Sequence, residues 1–186
     1  MSLSCVPCWV LTAFLAGNQP VPVPMSVQLP LLLKVLSAER NRPLEARSVL
    51  VIGIVCRRAS TESMEAADRL VAQIEMATTG EWAPPVRFEL VELSDGRDTA
   101  SSVARAAPDI LYVTPLPGSD VEALVRLTRV RKILTFTGAP ALVRLGLSVG
   151  FELRKGETKI LINRMASVAE GADFSSKLLK LAEVIE

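Results

Sequence analysis

The stretch "RSVLVIGIVC" (residues 47–56) decides how the rest of the chain is read. From Val49 to Cys56 it is continuously apolar and mostly β-branched. A strand with one wet face alternates; an unbroken run is buried on both faces and needs a layer of structure on each side. Directly after it, "STESMEAADRLVAQIEMA" (60–77) sets Met64, Ala67, Leu70, Val71 and Ile74 at helical spacing, with Ser60 or Thr61 placed to cap the helix. A doubly buried strand followed at once by an amphipathic helix opens a βαβ unit, so a parallel sheet is expected.

Downstream the alternation continues. "VRFELVEL" (86–93) reads as a second strand, and "SDGRDTASSVARAA" (94–107) as a turn and short helix. "PDILYVTPLP" (108–117) is a third strand and "GSDVEALVRLTRV" (118–130) its helix. "RKILTFTG" (131–138) and "APALVRLG" (139–146) repeat the pattern. The rhythm then changes: "LSVGFELRKGETKILINRM" (147–165) is two strands joined by "RKGE", a tight turn with glycine. In "GADFSSKLLKLAEVIE" (171–186), Phe174, Leu178, Leu181 and Ile185 recur at helical spacing, which predicts a terminal helix lying on the sheet or between two copies of the chain. Upstream, "MSVQLPLLLKVLSAERN" (25–41) predicts a first helix with Leu29, Leu32, Leu33 and Leu36 in a stripe, Ser26 as cap and Pro30 tolerated in the first turn. The expected fold is α/β: a mostly parallel central sheet with helices on both faces, then a C-terminal antiparallel hairpin and a terminal helix.

Composition narrows the function classes. The 186 residues are 49% hydrophobic, enough for one good core, so residues 25–186 are expected to form a single domain. A net charge of +1 and only 4% aromatics favour neither nucleic acid nor an anionic surface. There is no histidine, which removes Ser-His-Asp triads, Cys-His nucleophiles and His-ligated zinc. Cys5 and Cys8 form a lone C-x-x-C inside an apolar stretch, and Cys56 reads as a small core residue at the end of its strand. No catalytic residue, metal site or cofactor is expected. Residues 1–24 carry no charge, whereas 25–186 carry all 21 Lys and Arg and all 20 Asp and Glu. "CVPCWVLTAFLAG" followed by "NQPVPVP" reads as an export signal and a Pro-rich linker, without the usual basic start. Were it not an export signal, the protein would be cytoplasmic.

In a parallel sheet, ligands sit beyond the C-terminal strand ends. "TPLPGSD" (114–120) and "TFTGAP" (135–140) fall there, so Thr114, Ser119, Thr137 and Gly138 are candidates for a small-molecule or anion pocket; the same residues are also ordinary turn formers, with Ser119 or Asp120 placed to cap the next helix. Asn163 stands at the hairpin exit, where it can cap the next helix; Ser175 and Ser176 start the last helix, and Asp173 is a further cap candidate. Arg126, Arg129, Arg131 and Lys132 gather at a helix end, where cations are stabilised by the helix dipole.

"ILTFTGAP", "GFELRKGETKILIN" and "ADFSSKLLKLAEVI", in that order, resemble the YfiR-like family. Asn163 stands where that family's hairpin asparagine does, and Ser175, Ser176, Leu178, Leu179, Leu181 and Ala182 match its last helix. The resemblance implies a non-catalytic periplasmic regulator that binds the periplasmic sensor domain of a membrane-bound diguanylate cyclase, or of a sensor kinase, and represses it, so lowering cyclic di-GMP. It also implies a homodimer. Two departures matter. The namesake couples redox state to repression through disulfides, and after leader removal Cys56 alone cannot form one. The first helix reads "KVLSAERN" rather than the family's usual sequence, which changes an expected recognition surface. A non-catalytic receiver- or Rossmann-like ligand-binding module is the alternative.

Overall fold

The computed structural model describes residues 23–43, 48–77, 85–95 and 98–186. Residues 1–22, which hold most of the expected export signal and linker along with Cys5 and Cys8, lie outside the described residues. Helix α1 is Met25–Ser37 and strand β1 Leu50–Arg57; then come α2 (Thr61–Ala77), β2 (Val86–Leu93), α3 (Thr99–Ala106), β3 (Ile110–Val113), α4 (Gly118–Arg131), β4 (Leu134–Thr137) and α5 (Pro140–Arg144). The chain continues through β5 (Val149–Arg154), β6 (Glu157–Asn163), α6 (Arg164–Ala169), α7 (Ser176–Leu181) and β7 (Glu183–Ile185).

The strands form one seven-stranded sheet in the order β2-β1-β3-β4-β5-β6-β7. The first five are parallel, β6 runs antiparallel to β5, and β7 is parallel to β6. Leu50, Ile52, Ile54 and Cys56 face one cluster with α1 and α2; Val55 faces a second, built on α3, α4 and α5. The unbroken apolar run is therefore explained: both sides of β1 are core. Order 2-1-3 reverses direction at β1, because α2 carries the chain outward to β2 and α3 returns it past β1 to β3. This leaves a crevice at the C-terminal ends of β1 and β3.

The hairpin turns through Lys155 (φ 52°) and Gly156 (φ 81°), a two-residue loop with both residues left-handed, whose twist matches the strands it joins. Three expectations at the termini change. The cap of α1 is Pro24, with no side-chain bond; Ser26 is exposed, and Gln28 and Val35 join the buried stripe while Leu33 is only half-buried. Asp173 caps nothing and instead meets Arg40 at 3.5 Å. The terminal helix is present but ends early: it is six residues long, Ser176–Leu181. Phe174 and Leu178 are buried as expected, but Leu181 is exposed and Ile185 lies in β7. The reason is the free edge of β6. Two β-branched residues, Val184 and Ile185, gain ladder bonds there that a longer helix would forgo.

Candidate functional site

A cavity of about 380 Å³ opens at the crevice, roofed by the start of α1, walled by α2 and floored by the ends of β3 and β4. Alternation along the strands decides what reaches it. Tyr112 and Phe136 face the α1–α2 side, and Thr114 and Gly138 come next in step, so both line the cavity. Thr137 points to the opposite face, where its hydroxyl donates to the Val113 carbonyl (2.8 Å) and accepts from the Ala139 N–H (3.0 Å). Ser119 is exposed in the first turn of α4. The four sequence candidates thus split: the fold brings together Thr114 and Gly138 but neither of the others. The expected Ser119 or Asp120 cap is absent as well. Pro117 holds the cap position, and Asp120 turns to Arg57.

Around Thr114 the hydroxyls form a directed chain. The Thr114 hydroxyl donates to the Val55 carbonyl (2.9 Å), so the Ser63 hydroxyl, 2.5 Å away, is left to donate to Thr114. Ser63 in turn accepts the backbone N–H of Arg57 (2.9 Å). The Arg57 guanidinium reaches Asp120 and Asp95, each at 2.6 Å, tying the end of β1 to the loop after β2 and to α4. Ser60 accepts from the Ser63 N–H, as the sequence predicted for the start of α2.

Sequence reasoning missed the cavity's other polar groups. Tyr112 donates to the Gln28 carboxamide oxygen, and Gln28 donates to the Val23 carbonyl (2.7 Å). Burial pushes the Tyr112 phenol well above its ordinary value, so it stays neutral. A Cβ at position 138 would lie 2.7 Å from both Gln28 and Tyr112, which is why glycine stands there. Gln73 lines the cavity with its Oε1 buried and without a hydrogen-bond partner among the described residues, and Arg69 also lines it. The signals were present: Gln28 is the one polar residue in the apolar face of α1, and Tyr112 is the chain's only tyrosine.

A second polar cluster lies at the opposite end of the strands. Glu170, fully buried, accepts from the Thr128 hydroxyl (2.7 Å), the Thr135 N–H (2.9 Å), the Thr135 hydroxyl and the Ser148 hydroxyl. Burial raises its carboxyl above the ordinary value despite these donors. Asn163 caps α6, accepting from Ala166 N–H (2.9 Å) and donating to the Val143 carbonyl (3.1 Å); Ser175 caps α7, and Ser176 is that helix's first residue. Leu179 is half-buried beside them. These family-pattern residues are built into the scaffold. Cys56 is buried, and burial, with Glu92 and Asp68 nearby, pushes its thiol up to about 11, which disfavours the reactive thiolate.

The YfiR/HmsC-like family model matches residues 40–183. The chain belongs to that family. The YfiR/HmsC-like match begins after α1, so the cavity roof lies outside it. No curated protein matches the chain. Among solved structures, the chain is similar to an ABC domain in complex with L-Trp from Streptococcus pneumonia (18% identity, TM-score 0.61, 87% of this chain and 62% of that one). It is also similar to a conserved domain protein from Vibrio cholerae (14%, TM-score 0.63, 88% and 60%). A third is CD0873, a substrate binding protein with adhesive properties from Clostridium difficile (14%, TM-score 0.56, 85% and 58%). At such identities the likeness is one of fold. The chain spans 58–62% of their lengths.

Proposed function

We propose that this protein is a non-catalytic exported regulator that binds the sensor region of a membrane signalling protein, a diguanylate cyclase or sensor kinase, and represses its output. Membership of the YfiR/HmsC-like family carries the reading. The uncharged apolar stretch before residue 25 supports export to the periplasm. Among the described residues no helix is long and apolar enough to cross a membrane. With Cys56 buried and the one cysteine after residue 24, control passes through contact rather than through an internal disulfide. Deleting the gene should raise cellular cyclic di-GMP several-fold. The protein recovered from the periplasm should begin between residues 18 and 25, bind the cyclase's sensor region and lower its activity. Unchanged cyclic di-GMP and a cytoplasmic, full-length chain would together end this reading.

The cavity supports a second reading, that of a small-molecule-binding module. The unpartnered Oε1 of Gln73 asks for an N–H or O–H donor, and a ligand supplying one beside Arg69 would complete the site with Thr114 and Gly138. A panel of free amino acids and nucleotides should contain at least one member that raises the thermal midpoint of the wild type. Gly138→Val, which fills the cavity, should abolish that rise.

A further inference from the structure

The two lateral edges of the sheet are unlike. β7 is three residues long, and its Glu183 is held by Arg154 at 2.7 Å. β2 is eight residues long, in register with β1 throughout, and has no strand on its outer side among the described residues. The Pro85 and Leu93 carbonyls accept from Leu50 and Arg58 (2.8 and 3.2 Å), so odd-numbered residues of β2 turn their backbone groups toward β1. Residues 86, 88, 90 and 92 therefore turn theirs outward. Such an edge is a template for another strand. Beside it, Val86, Phe88 and Leu90 border a groove of about 440 Å³, with Ile54 at its floor and Val71 and Ile74 of α2 as its far wall. Leu90 is 48% exposed there.

We propose that this edge pairs with the same edge of a second copy, antiparallel about a two-fold axis, with Phe88 opposite Phe88. The proposal gives a surface to the homodimer that the family resemblance implies, and it does not depend on the regulator reading. Charge selects the register. An axis at residue 87 would set Arg87 against Arg87, and one at 89 would set Glu89 against Glu89. An axis at 90 would oppose Arg87 to Leu93 and Glu89 to Val91. The axis at 88 alone sets Arg87 against Glu89 and Val86 against Leu90, each twice. Opposite charges directly across an antiparallel pair attract and like charges repel. The 87–89 pairs also fall at non-hydrogen-bonded positions, where side chains approach most closely. Within one copy Arg87 meets Glu89 at 3.7 Å, and neither has another ion pair among the described residues. On the α2 face the two copies' Val86, Phe88 and Leu90 become one apolar stripe that closes both grooves.

The test is mass in solution, by light scattering on the protein purified from the cells that make it. Wild type is expected at twice the chain mass. Arg87→Glu and Glu89→Arg should each weaken dimerisation at least tenfold and run at the chain mass at micromolar concentration. The doubly exchanged variant should dimerise again. Mixing the two single variants should form a heterodimer, because each cross-strand pair then holds one acid and one base. Arg87 is exposed and Glu89 partly so, and neither belongs to the core, so circular dichroism should show the variants folded. As an independent arm, Phe88→Cys should cross-link two copies on mild oxidation, the paired Cα atoms being about 5.5 Å apart, while Leu90→Cys should not. A wild-type monomer, a dimer unmoved by either substitution, single variants that stay apart when mixed, or equal cross-linking at 88 and 90 would each overturn the proposal.

Discussion

The two ends of the parallel strands use the same chemical parts to opposite effect. At the N-terminal end of β4, hydroxyls of Thr128, Thr135 and Ser148 close on the fully buried Glu170 carboxyl, and both its oxygens accept hydrogen bonds. At the C-terminal ends of β1 and β3, hydroxyls and amides border an open cavity, and Gln73 retains an unmet acceptor. A closed polar network holds a fold together; an incomplete one beside a void is where a ligand belongs.

The largest test of that contrast is Glu170→Ala. It strands four buried donor groups, the Thr135 N–H and the hydroxyls of Thr128, Thr135 and Ser148, and should lower stability by on the order of 3 kcal/mol or more in urea unfolding. Next comes Gly138→Ala. The added methyl would sit 2.7 Å from Gln28 and Tyr112, so about 1–3 kcal/mol of overpacking is expected, read as a lower thermal midpoint. Ser63→Ala breaks the hydroxyl chain to Thr114 and Arg57 and should cost about 1–2 kcal/mol, with the cavity retained. A pH series sharpens the comparison further. Because burial raises the native Glu170 carboxyl above the ordinary 4.5, the native form favours the proton. Its contribution is complete below the unfolded value and is lost as pH rises through the native one. The stability of wild type relative to Glu170→Gln should therefore shrink as the pH is raised above about 4.5. The smallest effect belongs to Gln73→Ala: an acceptor without a partner has no bond to lose, so stability should move by less than about 0.5 kcal/mol. A larger loss there would mean that the two ends do not differ as described.

Much of the architecture was legible because it is local. β2 spans the eight residues its alternation marked, and the glycine turn placed the hairpin. Asn163 and Ser175 cap the helices they precede. The site was legible only in part. That ligands gather at the C-terminal strand ends is a matter of topology, but which hydroxyls reach them depends on parity. One residue of register separates Gly138, in the cavity, from Thr137, behind the sheet. Glu170 was not legible at all, since its partners come from α4, β4 and the residue before β5 and meet only in three dimensions. The overextended end of the terminal helix has the same origin. The spacing of Phe174 and Leu178 is helical, but the strand after it forms only because β6 offers an edge.

The roof of the cavity is not a free flap. The Glu39 carboxylate accepts from the backbone of Asn41 and Asp173 at 2.9 Å each, Arg40 N–H donates to the Asp173 carbonyl, and Ser175 N–H donates to the Ala38 carbonyl. These bonds rivet the far end of α1 to the segment leading into α7. Any swing of α1 large enough to admit a bulky guest must drag α7, and with it the outermost strand, or shear several backbone bonds at once. Entry and exit would then be slow relative to side-chain motion, and would be felt some distance away along the sheet.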